Sequence, residues 1–195
     1  VGQILGAKAL ASVGASSSIQ FLVLGFCMGS CTGFGVPVAK YFGAEKIEKM
    51  RDYIFNGAVL CAGIAVILTA LCSVLCPQIL HILSVPEDIY DNAYSYLLII
   101  FLGIPFTILY NYLSSILRSV GDSRTPFRFL ALSAVLNIFL DLFCIVVLKL
   151  GCAGAAIATI SAQAISGILC LIFIIRKMKL LWLKKENRTI KGDAV

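Results

Sequence analysis

Charge is what this sequence has least of. Only 13% of its 195 residues are Asp, Glu, Lys or Arg, about half the roughly 25% carried by an ordinary globular domain. A soluble surface cannot be built from so few charges around so much apolar material. Histidine occurs once, at His81, so a histidine-based metal or catalytic centre would have to recruit residues from elsewhere. The eight cysteines offer no C-x-x-C spacing; Cys27/Cys31 and Cys72/Cys76 are four apart, which is helix-face spacing and reads as packing rather than redox or zinc chemistry. The net charge of +6 sits at the ends of apolar blocks with no interleaved aromatics, which argues against nucleic acid as a partner.

What the chain has is apolar length. Hydrophobic residues make up 60% of it and the mean hydropathy is +0.99. Five stretches reach the roughly 20 residues a helix needs to cross a bilayer: about 16–38, 53–76, 93–117, 127–148 and 153–175. The fold class expected is therefore an all-α integral membrane protein, a polytopic bundle of about five transmembrane helices over residues 1–178, followed by a basic tail or linker at 179–195. Connectors numbered alternately separate the charges. The segments 40–51, 118–128 and 176–191 hold four, three and seven Lys or Arg, fourteen of the sixteen, and the other side keeps Lys8 and Lys149. The positive-inside rule places the tail in the cytoplasm and the amino terminus of this chain outside, in the cell membrane. An odd number of spans starting outside is the arrangement expected of a chain whose first helix lies upstream.

Local signals refine the expectation. Gly25, Gly29 and Gly33 form a small-residue ridge suited to close helix packing. Pro37 should end the first span, leaving a charged amphipathic connector over 40–51. After Pro77, residues 79–83 read as a short interfacial piece. Ser84-Val-Pro86-Glu87 has the pattern of a helix start, with serine capping and proline in the first turn. The helix that follows carries Tyr96, Gly103, Thr107, Tyr110 and Ser114 near one angular position, and Pro105 should kink it. Gly121 to Pro126 is a tight polar turn.

The chemistry concentrates in the fourth span. Ser133, Asn137 and Asp141 are spaced by four and share one helix face. Asp141 is the one carboxylate in the middle of an apolar stretch. A charge at membrane depth costs roughly 2.5–3.5 kcal/mol on insertion scales, so such a residue ordinarily faces a bundle interior and marks an ion or proton path. In the fifth span Ala155, Thr159 and Gln163 share a face of a small-residue run that can pack closely on it. A carboxylate, an amide oxygen and hydroxyls are hard donors, suited to Na+ or a shared proton and unsuited to soft metals.

Five segments in order, Leu5-Gly-Ala-Lys-Ala-Leu-Ala-Ser-Val-Gly14, Tyr41-Phe-Gly-Ala44, Phe101-Leu-Gly-Ile-Pro-Phe106, Leu117-Arg-Ser-Val-Gly-Asp-Ser-Arg-Thr-Pro126 and Gly151-Cys-Ala-Gly-Ala-Ala-Ile-Ala-Thr159, together resemble the multidrug and toxic compound extrusion (MATE) family over about residues 1–178. The resemblance implies half of a two-lobe transporter: helices 2 to 6 of the amino-terminal lobe, with residues 1–5 as the tail of helix 1. The rest of helix 1, with its aspartate, and the carboxy-terminal lobe would be the partners. It implies a cation site at Asp141 and Asn137, completed by Thr159 and the carbonyl of Ala155, with Tyr96 in the adjoining cavity. Ser133, Tyr110 and Gln163 are further cavity candidates. The function implied is a Na+- or H+-coupled antiporter, not an enzyme and without a cofactor, that exports amphipathic, cationic drug-like molecules, with membrane lipid as a further partner. A related lipid-linked saccharide flippase would call for more cations lining the cavity, and a purely structural membrane subunit would not need Asp141.

Overall fold

The computed structural model describes residues 7–181, and every element within them is helical. The helices are α1 (Ala7–Gly43), α2 (Ile47–Ile82), α3 (Glu87–Leu102), α4 (Ile104–Ser119), α5 (Arg124–Leu142) and α6 (Gly151–Lys177). A π-helical turn, Phe143–Val147, continues α5, and a 3-10 turn, Lys179–Leu181, follows α6. Four helices are long and apolar enough to span a membrane, and α3 with α4 makes a fifth span bent by 44°. The chain is a multi-pass membrane bundle. The basic tail expected over 179–195 lies outside the described residues from 182 onward.

α4 is the centre of the bundle. It packs against α1, α2 and α6, while α5 rests almost entirely on α6. Phe101, Met50, Leu80, Leu97, Ile104 and Leu117 are fully buried in the main core. Lipid tails are as apolar as leucine, so what holds these helices together is close packing and interhelical hydrogen bonding rather than escape from water. α1 meets α4 at Gly35, where a Cβ would collide with the Ser115 hydroxyl. The gap lets Ser119 Oγ donate to the Gly35 carbonyl at 2.8 Å. Gly103, at the α3–α4 break, lies against Ile160 of α6, and a side chain there would overlap it. The expected kink is thus a full break: Pro105 has no N–H to continue the ladder, and it occupies the first turn of α4.

Several local expectations are corrected. Neither Pro37 nor Pro77 ends a helix; α1 runs on to Gly43 and α2 to Ile82. α2, at 36 residues, is about 54 Å long, so the piece at 79–83 is its last turn, and most of the charged connector at 40–51 is helix end. Ser84 does not cap α3. It adopts φ 50° and closes α2, with Ser84 N–H bonded to the His81 carbonyl and Val85 N–H to that of Leu80, the paired bonds of a Schellman motif. α3 then begins at Glu87 with no side-chain cap. Pro126 stands third in α5, where its missing N–H leaves nothing unpaired. The turn before it is held by Asp122, whose Oδ1 accepts from Thr125 N–H at 3.0 Å. Bonding by Thr125 and the neighbouring amides holds the Asp122 carboxyl below the ordinary carboxylate range.

Among the described residues no helix meets the glycine ridge. Gly25, Gly29 and Gly33 are exposed on α1, and a Cβ on any of them would touch nothing in the described residues. The faces that do pack carry Cys27, Cys31 and Gly35 instead. All eight cysteines are buried thiols without disulfides.

Candidate cation site

The site is built by a tight antiparallel hairpin. At the end of α5 the backbone widens into the π turn, with Leu148 N–H reaching back to the Phe143 carbonyl and Leu150 N–H to that of Cys144. Lys149 and Gly151 then take φ of 54° and 59°, reversing the chain into α6. A π turn inside an α-helix is uncommon and tends to occur at functional positions; here it starts two residues beyond Asp141. Nothing in the apolar sequence 143–147 announces it.

One contact sets the register. Asn137 Nδ2 donates to Thr159 Oγ1 at 3.3 Å, and Thr159 Oγ1 donates to the Ala155 carbonyl at 2.9 Å. Each step of four residues is close to one helical turn, so the facing pair Asn137–Thr159 sets Asp141 level with Ala155 one turn up and Ser133 level with Gln163 one turn down. The six residues singled out on these two helices therefore form three rungs of one seam. Alanine on the upper rung leaves room beside the carboxylate, and Ala155 is itself buried. The amide of Asn137 uses its N–H2 on Thr159 and keeps Oδ1 as an oxygen donor.

Two oxygens along this seam are buried with no hydrogen-bond partner among the described residues: Asp141 Oδ1 and Gln163 Oε1. An unpartnered buried acceptor forfeits roughly 1–3 kcal/mol, and more if charged. A proton, a cation or a water would each relieve it. The described residues contain no group of three or more His, Cys, Asp or Glu placed to hold a metal, which leaves a single carboxylate with neutral oxygens. Such a set fits a weakly held monovalent ion better than a divalent one.

The remaining expected cavity residues separate. Tyr96 packs in a small apolar cluster with Ile100, Ile145, Cys152, Ala155 and Ala156, the last two on the helix that carries Thr159. The Tyr96 hydroxyl donates to Gln20 Oε1 of α1 at 3.4 Å. Gln20 had no part in the sequence reading, although a glutamine within an apolar stretch is itself a signal. Tyr110 is elsewhere. The α3–α4 break takes it off the Tyr96 face, and its buried hydroxyl donates to the Pro126 carbonyl at 3.0 Å, tying α4 to the start of α5. Ser133 is buried on the lower rung.

A family model described as MatE matches residues 1–143. The chain is 38% identical over 176 residues to "Probable multidrug resistance protein YpnP" of Bacillus subtilis, covering 90% of this chain and 40% of that protein. Its fold matches a multidrug resistance MATE transporter solved in an inward-facing conformation with a TM-score of 0.90 at 20% identity, covering 96% of this chain and 43% of that one. The outward-facing conformation gives a TM-score of 0.89 at 21% identity, with 97% and 42% covered. The chain thus spans about two fifths of the length of the relatives it matches. By sequence and by fold, it belongs to the MATE family and corresponds to part of one lobe of such a transporter.

Proposed function

We propose that this chain forms helices 2 to 6 of the amino-terminal lobe of a cation-coupled antiporter. The transporter would export amphipathic, cationic drug-like molecules, with Asp141 as the coupling carboxylate. The observation that carries the reading is the buried Asp141 oxygen left without a partner beside the Asn137–Thr159–Ala155 file. Relatives with multidrug resistance in their names support the substrate class. In this reading Asp141 holds either a proton or Na+, with Asn137 Oδ1, Thr159 Oγ1 and the Ala155 carbonyl as further oxygens. Release of the ion leaves a carboxylate that attracts a cationic substrate. This lobe matches the inward- and outward-facing folds equally well, which supports its moving as a unit against a second lobe about a mid-membrane cavity. The fourteen basic residues on one side support a cytoplasmic position for that side and for the carboxy-terminal tail.

Dye export in everted vesicles by the two-lobe transporter that contains this chain tests the role. Asp141→Asn should lower export by roughly 5- to 150-fold, the range of ordinary coupling energies. Export equal to wild type would remove the coupling role. At a fixed proton gradient, a response to imposed Na+ assigns Na+, and no response assigns the proton.

A further inference from the structure

Away from the cation site, a cavity of about 860 Å³ opens between α2, α4 and α6. It is bounded by Ile54 and Val66 of α2, Pro105 and Ile116 of α4, Ile174 of α6 and Leu181 of the 3-10 turn, and its walls are almost wholly apolar. The one phenol in the wall, Tyr112, already donates its hydroxyl to the Ile54 carbonyl at 2.6 Å. Leu171, also in the wall, lies twelve residues beyond Thr159 on α6, about 18 Å away. None of the seam residues lines the cavity, so it and the cation site share no wall residue.

Its length and its rim say what it takes. From Ile54 to Val66 the groove runs twelve residues along a single helix, about 18 Å. One leaflet of a bilayer is about 15 Å of hydrocarbon, half the usual core. The groove thus extends from one membrane surface to near the midplane, the depth of one acyl chain. Its surface end lies among cations. Arg51, one turn before Ile54, donates from Nε to the Leu180 carbonyl at 3.1 Å and fastens the 3-10 turn at that end. Arg176 and Lys177, both exposed, directly follow the groove-lining Ile174 and Ile175. Arg51 is ion-paired with Glu48 at 2.9 Å, so the attraction is assigned to Arg176 and Lys177.

We propose that this groove seats an acyl chain of an anionic glycerophospholipid from the leaflet on the basic side, with its phosphate on Arg176 and Lys177. Apolar contact alone would not select it, because other lipid tails are equally apolar. Selection comes from the head group, at about fivefold in affinity per basic residue near the surface.

Native mass spectrometry of the full chain in detergent, titrated with dioleoyl phosphatidylglycerol or dioleoyl phosphatidylcholine, reads this directly. Wild type should retain one phosphatidylglycerol in preference to phosphatidylcholine. Arg176→Gln with Lys177→Gln should erase that preference, lowering phosphatidylglycerol affinity about 25-fold. Ala62→Trp, at an exposed alanine in the groove wall, should exclude both lipids with the melting temperature unchanged. Val66→Trp, on the exposed edge, gives the same readout should Ala62→Trp misfold. Equal retention of the two lipids by wild type, or phosphatidylglycerol retained at full affinity by the tryptophan variants, overturns the proposal. So does lipid uptake that appears only after residues 182–195 are removed, which would make the tail the occupant.

Discussion

α4 and α5 are neighbours in sequence and opposites in structure. Nine of the sixteen residues of α4 are buried, polar ones such as Ser114 and Ser115 among them, whereas α5 buries three of nineteen. Phe127, Ile138 and Phe139 are among the α5 side chains left facing outward. Among the described residues, the helix that organises the bundle holds none of the seam, and the helix that carries Asp141 is the least buried of the spans. In the proposed role Asp141 exchanges its partner, and an open helix face suits that. A helix gripped on all sides is a poor place for a group whose ligand comes and goes, since elements that move are drawn from the less stable parts of a fold. Among the described residues, close packing on α4 and an open seam on α5 set a division between scaffold and proposed site.

The largest effect that tests this division is Asp141→Asn, which should cost export roughly 5- to 150-fold while leaving the melting temperature near wild type, because α5 contributes little to the core. Gly103→Leu should do the reverse. Forcing a side chain into Ile160 overpacks the centre at about 1–3 kcal/mol, read as a lower melting temperature by fluorescence-detected size exclusion. A large stability loss from the α5 change and none from Gly103→Leu would break the contrast. Next comes Thr159→Val, which strands the Asn137 N–H2; it should weaken cation response by about tenfold, equivalent to about 1.4 kcal/mol, with Thr159→Ser close to wild type in the same export assay. Tyr110→Phe sharpens the comparison from the α4 side. It removes only the bond to Pro126, about 0.5–1.5 kcal/mol of stability, and should leave cation response unchanged.

The smallest effect concerns Asp122 in the turn between the two helices. Its carboxyl is held low by bonding to Thr125, so its stabilisation is present above the unfolded carboxyl value and fades as pH falls through the folded one. Melts taken from neutral pH to about pH 3 should therefore show a slightly steeper acid loss in wild type than in Asp122→Asn.

The spans and the seam were legible because each rests on spacing alone. Apolar runs of bilayer length leave few alternatives, and residues four apart share a helix face wherever the helix sits. The proline signals misled for a physical reason. Pro37 and Pro77 resemble stops because a soluble helix loses a bond there, but long membrane helices absorb the loss within neighbouring turns and packing. Ser84 was misassigned because its spacing to Glu87 fits a cap, while the φ of 50° that makes it the end of α2 is a property of the chain before it. Glycine spacing at Gly25, Gly29 and Gly33 gave a packing ridge with no partner among the described residues, since sequence identifies a surface able to pack without naming what packs on it. Tyr110 fell away from Tyr96 once the break at Gly103 interrupted the helical phase.

The claim beneath all of this is that Asp141 exchanges a proton or a cation at its buried oxygen. Infrared difference spectroscopy on the full chain, with pH and Na+ stepped separately, observes that carboxyl. The account expects a carboxyl band that responds to pH, to Na+ or to both, and that disappears in Asp141→Asn. A band that persists in the variant, or a wild-type spectrum indifferent to both steps, would contradict it.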